Sequence, residues 1–343
     1  MTEARPQLLD RLQRPLRELR ISVTDRCNFR CSYCMPEDVY DEGYRFTRRA
    51  EILRFEEITR LARLAVQRLG VRKLRLTGGE PLTRRELPAL IQMLAPIDGL
   101  QDLALTTNGS LLAFQADALA RAGLRRATVS LDALDAPTFA KLSGGRGDVA
   151  EVLRGIEAAQ AAGLSPVKIN CVVQRGVNEH AVRALAERFR GRGVVVRFIE
   201  FMDVGTRNAW QPDSVVGADE ICAMLEGLGT LERLPATHHG EVAQRYAYAD
   251  GQGAVGVIAA GPRPCCGDCT RARLSADGRL LNCLFAEHGT DLRAPMRDGV
   301  GDDALVAAIE RAWGARGDRY SEQRAERWSR DGRRRLEMYQ VGG

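Results

Sequence analysis

Three thiols within eight residues, Cys27-x3-Cys31-x2-Cys34, form the tightest concentration of soft metal ligands in the chain. Thiolate sulfur selects zinc, copper(I) or iron–sulfur. A closed structural zinc takes four ligands, and no fourth Cys or His lies close to these three in sequence. A four-iron cube also normally takes four cysteines, so three would leave one iron open to a small bidentate ligand. That vacancy is useful where an iron must bind a molecule and reduce it. A second group, Cys266-x2-Cys269-x13-Cys283, again supplies three. The Asp277-Gly278 pair inside it is a hairpin signal that would return Cys283 to the first two thiols. Cys265 adjoins Cys266, and either could be the ligand. A zinc ribbon would usually add a second C-x2-C, which the sequence after Cys283 lacks.

These clusters need a reducing compartment and a scaffold. The nine cysteines are an odd number in a chain whose first twenty residues carry charges throughout and lack an apolar leader core. Clustered thiols in such a chain read as metal sites before disulfides, and as cytoplasmic. Cys171 and Cys222 stand alone and read as buried small hydrophobes. The 343 residues, 45% apolar and 28% charged, are globular in composition, which excludes disorder and collagen-like repeats. The longest apolar runs, such as 254–260, are far too short to span a bilayer. The net charge of +5 is scattered rather than striped, so neither nucleic acid nor membrane is expected as a partner. Only three of the 50 basic residues are lysines, Lys73, Lys141 and Lys168, which singles out each of them.

The positioning elements alternate. Strand-like runs at 19–23, 73–77, 103–107, 128–131, 167–173 and 194–198 are rich in apolar residues, as strands covered on both faces should be. Between them, 55–69, 85–94, 116–122, 149–162 and 179–189 carry helical periodicity, and Gly70, Gly123, Gly163 and Gly191 stand just past four of these. Six β-then-α units imply a parallel sheet. Six fall short of the eight of a closed barrel, so the expected fold class is α/β, an incomplete (β/α)6 barrel. The rhythm stops near 205. A further helix is read at 219–228, strands at 245–249 and 254–259, the hairpin at 272–284 and a helix at 304–313. The expected division is therefore a barrel over 11–234 and a C-terminal α+β cluster-binding domain over 235–343.

The first triad follows the first strand, and loops at the carboxyl ends of barrel strands carry the chemistry. With Tyr33 before its last cysteine, the triad resembles the signature of the radical S-adenosylmethionine superfamily. Thr77-Gly78-Gly79-Glu80-Pro81 after the second strand is similar to that family's Gly-Gly-Glu-Pro element. Two glycines would let backbone approach a ligand closely, offering carbonyls to its amine, with Glu80 adding negative charge. Two triads in one chain resemble one subfamily, the GTP 3′,8-cyclases of molybdenum cofactor biosynthesis. The resemblance covers nearly the whole chain. It includes Leu19-Arg20-Ile21-Ser22-Val23-Thr24-Asp25-Arg26-Cys27, then Arg197-Phe198-Ile199-Glu200-Phe201-Met202, then Cys269-Thr270-Arg271-Ala272-Arg273, and the terminal Gly342-Gly343.

That resemblance implies two [4Fe–4S] clusters, one on Cys27, Cys31 and Cys34, the other on Cys266, Cys269 and Cys283. It implies S-adenosylmethionine held by Tyr33, Gly79, Ser130 and Met202. It implies GTP contacts at Arg20, Lys73, Arg75, Thr106, Lys168, Arg197, Arg271 and Arg273. Arginine forks suit phosphate oxygens, and Lys168 inside an apolar strand is costly to bury without a partner. The implied chemistry is reductive cleavage of S-adenosylmethionine to a 5′-deoxyadenosyl radical. Hydrogen abstraction from ribose C3′ of GTP would follow, then attack of C3′ on guanine C8, with no side chain needed as a general base. The second cluster's open iron would hold the purine, and the glycine tail would enter the site. The product would be handed to cyclic pyranopterin monophosphate synthase. The electron donor is unspecified, and a homodimer is left open. Competing readings are a peptide-modifying two-cluster maturase, a zinc protein on a barrel scaffold, and a ferredoxin-like electron carrier.

Overall fold

Six parallel strands stand side by side in chain order in the computed structural model, which describes residues 7–259, 266–323 and 335–342. They are β1 (Glu18–Ser22), β2 (Lys73–Thr77), β3 (Asp102–Thr107), β4 (Arg126–Ser130), β5 (Val167–Val173) and β6 (Val194–Glu200). Each after the first is reached through a helical crossover: α1 (Phe55–Leu69), α2 (Leu87–Leu94), α3 (Leu112–Arg121), the pair α4 (Ala136–Ser143) and α5 (Val149–Ala161), and α6 (Ala181–Phe189). Sequential parallel pairing with helical crossovers is the expected incomplete (β/α)6 barrel.

α1 shows why these segments form. Glu57 accepts from the Arg54 backbone N–H at 2.7 Å at the helix start. Ile58, Leu61, Ala62, Ala65 and Leu69 recur at helical spacing and are buried. Gly70 ends the helix with φ 83°, a left-handed turn that costs a non-glycine residue strain. Truncating Leu61 to Ala would cost about 2–5 kcal/mol in so tight a core.

The strands alternate. In β5, Val167, Ile169, Cys171 and Val173 are fully covered, while Lys168, Asn170 and Val172 stay partly open. The apolar half faces the helices, and Lys168, Asn170 and Val172 line the barrel interior. Cys171 is buried as expected, whereas Cys222 is only partly buried at the core margin. It lies in α7 (Ala218–Glu226).

Residues beyond the barrel extend the same sheet at both edges. β7 (Leu231–Leu234) and β8 (Gln244–Tyr248) lead antiparallel to β9 (Ala254–Ile258), which pairs parallel with β6. On the far side, β10 (Arg271–Leu274) pairs parallel with β1, followed by antiparallel β11 (Arg279–Leu281) and β12 (Thr290–Asp291). The Asp277-Gly278 hairpin joins β10 to β11. Short α8 (Arg293–Arg297) and α9 (Asp302–Gly314) complete the packing, with Trp313 of α9 fully buried and donating to the Arg14 carbonyl at 3.1 Å.

Candidate active site

One cavity of about 550 Å³ runs through the barrel interior. Its wall contains both thiol triads, Tyr33, Gly79, Ser130, Met202, Thr106 and all seven cations named from the sequence. Cys27, Cys31 and Cys34 lie beyond the carboxyl end of β1, where a tight turn donates Cys34 N to Cys31 O at 2.9 Å. Cys269 lies two residues before β10 and Cys283 two residues after β11, so the hairpin returns it toward Cys269.

Burial pushes the Cys27 thiol up to about 11 and Cys283 up to about 12, and it raises Cys31 and Cys34 as well. Cys269 differs: burial raises it, but Arg271 and Arg316 reverse this and bring it down to about 6. Among the described residues, no three His, Cys, Asp or Glu side chains form a group that could hold a single metal ion. Three soft thiols facing one cavity at each place, with no fourth ligand grouped with them among the described residues, fit a larger sulfide-bridged iron centre better than a zinc cage. Cys265 and Gly343 lie outside the described residues.

The cations are arranged by sheet register. Glu18 stands opposite Arg271 on one side and Lys73 on the other. One pleat further, Arg20 stands opposite Arg273 and Arg75. Residues two apart share a face, so both rows project inward. Arg75 donates to the hydroxyls of Thr106 and Thr128, each at 3.1 Å, and Arg197 reaches the same Thr128 hydroxyl at 3.4 Å. Burial, aided by neighbouring cations, brings Arg197 down to about 9 and Lys168 to about 8. Arg20 falls to about 10, chiefly through burial, with Glu18 opposing. Such a cluster is electrostatically incomplete and suits a polyanion.

The Gly-Gly-Glu segment also has a packing role. A Cβ on Gly78 would sit 2.5 Å from the Thr24 carbonyl oxygen, and one on Gly79 2.3 Å from that of Arg26. The glycines therefore first allow close packing against the loop leading to Cys27, sealed by Gly79 N to Thr24 O at 2.8 Å and Glu80 N to Arg26 O at 2.7 Å. Glu80 is buried. Its carboxylate accepts from Leu82 N, the Thr107 hydroxyl and Asn108 N at 2.7–2.9 Å, and burial pushes it up to about 7. Glu80 thus organises the β3 loop instead of offering a free charge to a ligand.

Three contributors escaped the sequence reading. Glu18 is the carboxylate shared by Arg20, Lys73 and Arg75. The signal was its place two residues before Arg20. Asp132 accepts from the Tyr33 hydroxyl at 2.7 Å and from Val172 N at 2.8 Å, and lies two residues past Ser130. The third is the anchoring of the tail, whose glycines were expected to enter the site but whose holding residues were not named. Glu337 accepts from Thr206 N at 3.0 Å, Tyr339 packs on Tyr40 and Tyr44, and Arg273 donates to the carbonyls of Val341 and Gly342. Gly342 thereby lies against Thr77 at the end of β2.

A model of the radical SAM superfamily matches residues 21–189, and one described as Molybdenum Cofactor Synthesis C matches 194–322. A GTP 3′,8-cyclase of Xanthomonas axonopodis pv. citri is 53% identical over 334 residues, 97% of this chain and 98% of that one. The chain belongs to the GTP 3′,8-cyclase family. Relatives in this family from Acidothermus cellulolyticus, 50% identical over 357 residues, and Staphylococcus epidermidis, 42% identical over 336, each align with 97% of the chain and 98% of their own length. The fold is shared more widely. Streptococcus suis SuiB bound to S-adenosylmethionine superposes with a TM-score of 0.59 at 14% identity, covering 87% of this chain and 68% of that one.

Proposed function

We propose that the chain converts GTP to (8S)-3′,8-cyclo-7,8-dihydroguanosine 5′-triphosphate, the first step of molybdenum cofactor biosynthesis. The observation that carries this reading is the sharing of one cavity by two thiol triads and a cationic cluster. S-adenosylmethionine and [4Fe–4S] clusters are the cofactors of this family, and when bound they supply one-electron chemistry and a carbon radical that takes a hydrogen atom from the substrate.

In this reading, Cys27, Cys31 and Cys34 hold one cluster, and Cys266, Cys269 and Cys283 the other. Tyr33, Gly79, Ser130 and Met202 surround S-adenosylmethionine, with Ser130 at the end of β4 placed for a ribose hydroxyl. Arg20, Lys73, Arg75, Lys168, Arg197, Arg271 and Arg273 receive the triphosphate, and Thr106 orients Arg75. The cations give the triphosphate one position, and the phosphates relieve the mutual repulsion of the cations. The barrel wall and the tail would keep stray hydrogen donors away from the reacting carbon atoms. The segment 235–343 acts as the second-cluster domain on the barrel of 11–234. The protein works in the cytoplasm and passes its product to cyclic pyranopterin monophosphate synthase.

The test is an anaerobic assay with reductant, S-adenosylmethionine and each nucleoside triphosphate in turn. GTP-dependent release of 5′-deoxyadenosine with formation of the cyclised nucleotide is expected. Release that is indifferent to GTP would point to another substrate class. Zinc in place of iron and sulfide in the isolated protein would end the proposal.

A further inference from the structure

We propose that Glu18 is a built-in counter-anion of the triphosphate site: it occupies the cations while the site is empty and competes with the substrate's phosphates when it fills. The inference rests on the reading that the cavity takes a nucleoside triphosphate.

The geometry is specific. The Glu18 carboxylate lies 3.1 Å from Arg20 Nε, 3.0 Å from Lys73 Nζ and 3.5 Å from Arg75 Nε. Its side chain is 11% exposed, so solvent screens these contacts poorly. All three partners are among the cations assigned to phosphate. The strand register sets the carboxylate among these cations, because Glu18 stands opposite both Arg271 and Lys73 and shares its face with Arg20. The nearby Asp102 is committed elsewhere, accepting from Arg126 at 2.9 Å.

Two consequences of opposite sign follow. In the empty protein the carboxylate offsets repulsion among close cations, so it stabilises the fold. In the filled protein it is a negative charge beside a polyanion, and like charges a few ångström apart in a partly buried site repel enough to shift affinity tenfold or more. Glu18 therefore lowers the affinity for phosphates in general. Binding then has to draw on the base and ribose as well, and the nucleotide product is released more readily. A residue that merely held the cations in position would act in the other direction, because removing it would weaken binding.

The experiment uses anaerobically prepared holoprotein with tripolyphosphate and GTP as probes, read by titration calorimetry and thermal denaturation. Glu18→Gln keeps the side-chain size and removes the charge. The expected result is a lower Tm without ligand, tripolyphosphate binding tighter by about tenfold, and a larger rise in Tm on saturation than in the wild type. Unchanged or weaker tripolyphosphate binding overturns the proposal. Should Glu18→Gln not fold, Lys73→Met is compared with the double variant Glu18→Gln/Lys73→Met. The double variant is expected to bind tripolyphosphate more tightly than Lys73→Met alone, and equal or weaker binding overturns the proposal. Wild-type protein that binds neither probe overturns the reading of the cavity itself, and the role of Glu18 with it. Wild-type binding with unaltered variants overturns the role of Glu18 alone.

Discussion

The Tyr33 hydroxyl donates to Asp132 Oδ2 at 2.7 Å and so ties the loop carrying the first thiol triad to the end of β4. Asp132 is itself fixed, accepting from Val172 N at 2.8 Å, while Asn178 donates to its carbonyl at 2.9 Å. The ring beside the proposed S-adenosylmethionine site is held at its far end by the neighbouring strands. Tyr33→Phe removes only the tether and is expected to raise the Kd for S-adenosylmethionine several-fold, a loss of about 1 kcal/mol. Asp132→Ala should cost at least as much, because it also strips Val172 N of its acceptor, and the double variant should be no worse than Asp132→Ala alone. Equilibrium binding to reconstituted protein reads the coupling, and additive losses would sink the idea.

Glu80 gives a pH signature. Burial raises its folded-state value from 4.5 to about 7. The folded protein therefore holds this proton more tightly than the unfolded chain. The stability this contributes is complete below about pH 4.5 and is lost as pH rises through about 7. Between pH 6 and 8.5 the loss is on the order of 1 kcal/mol. Urea midpoints of the wild type should fall accordingly over this window. Glu80→Gln, less stable throughout because it forfeits an acceptor for Asn108 N or the Thr107 hydroxyl, should lack that component.

The two triads should load independently, since each draws its thiols from its own loop or hairpin. Cys31→Ser and Cys269→Ser are each expected to lower iron from about eight to about four per chain, with matching sulfide. Iron and sulfide analysis under anaerobic conditions checks this. Loss of all iron from either single variant would contradict it.

Gly342 has φ 69°, and an added Cβ would meet Thr77 Cγ2 at 2.5 Å. Gly342→Ala should therefore displace the tail and lower kcat at least tenfold at saturating GTP. Thr77→Ser removes the obstructing methyl group and should restore part of that activity in the double variant, the unrelieved φ accounting for the remainder. Deleting 342–343 should be at least as damaging as Gly342→Ala, and full turnover by the deletion variant would refute a role for the tail in the site.

Much of this architecture could be read before the structure, because its signals are local. β5 was legible from Val167 to Val173 because β-branched residues fill it. α1 was legible because its apolar stripe ends at Gly70. The thiol triads were legible because their ligands are close in sequence. α4 was not: it is two turns long, and its start depends on Asp135 accepting from Thr138 N at 2.9 Å. In β7 two leucines flank the consecutive exposed Glu232 and Arg233, so the period-two alternation of a strand is missing. The glycines at 78 and 79 were read toward a ligand because their backbone neighbours, Thr24 and Arg26, lie some fifty residues earlier. Glu18 was missed because its role depends on register among β1, β2 and β10. The Tyr44–Tyr339 contact joins residues 295 apart, and no sequence window spans them.

Because β9 lies along β6 and β10 along β1, the last third of the chain closes both margins of the six-strand barrel. A ribosome that has released only the first two thirds would expose two rows of unsatisfied amides and carbonyls, the ordinary template for sticking to another copy. Those margins stay open until the late-emerging strands pair with them.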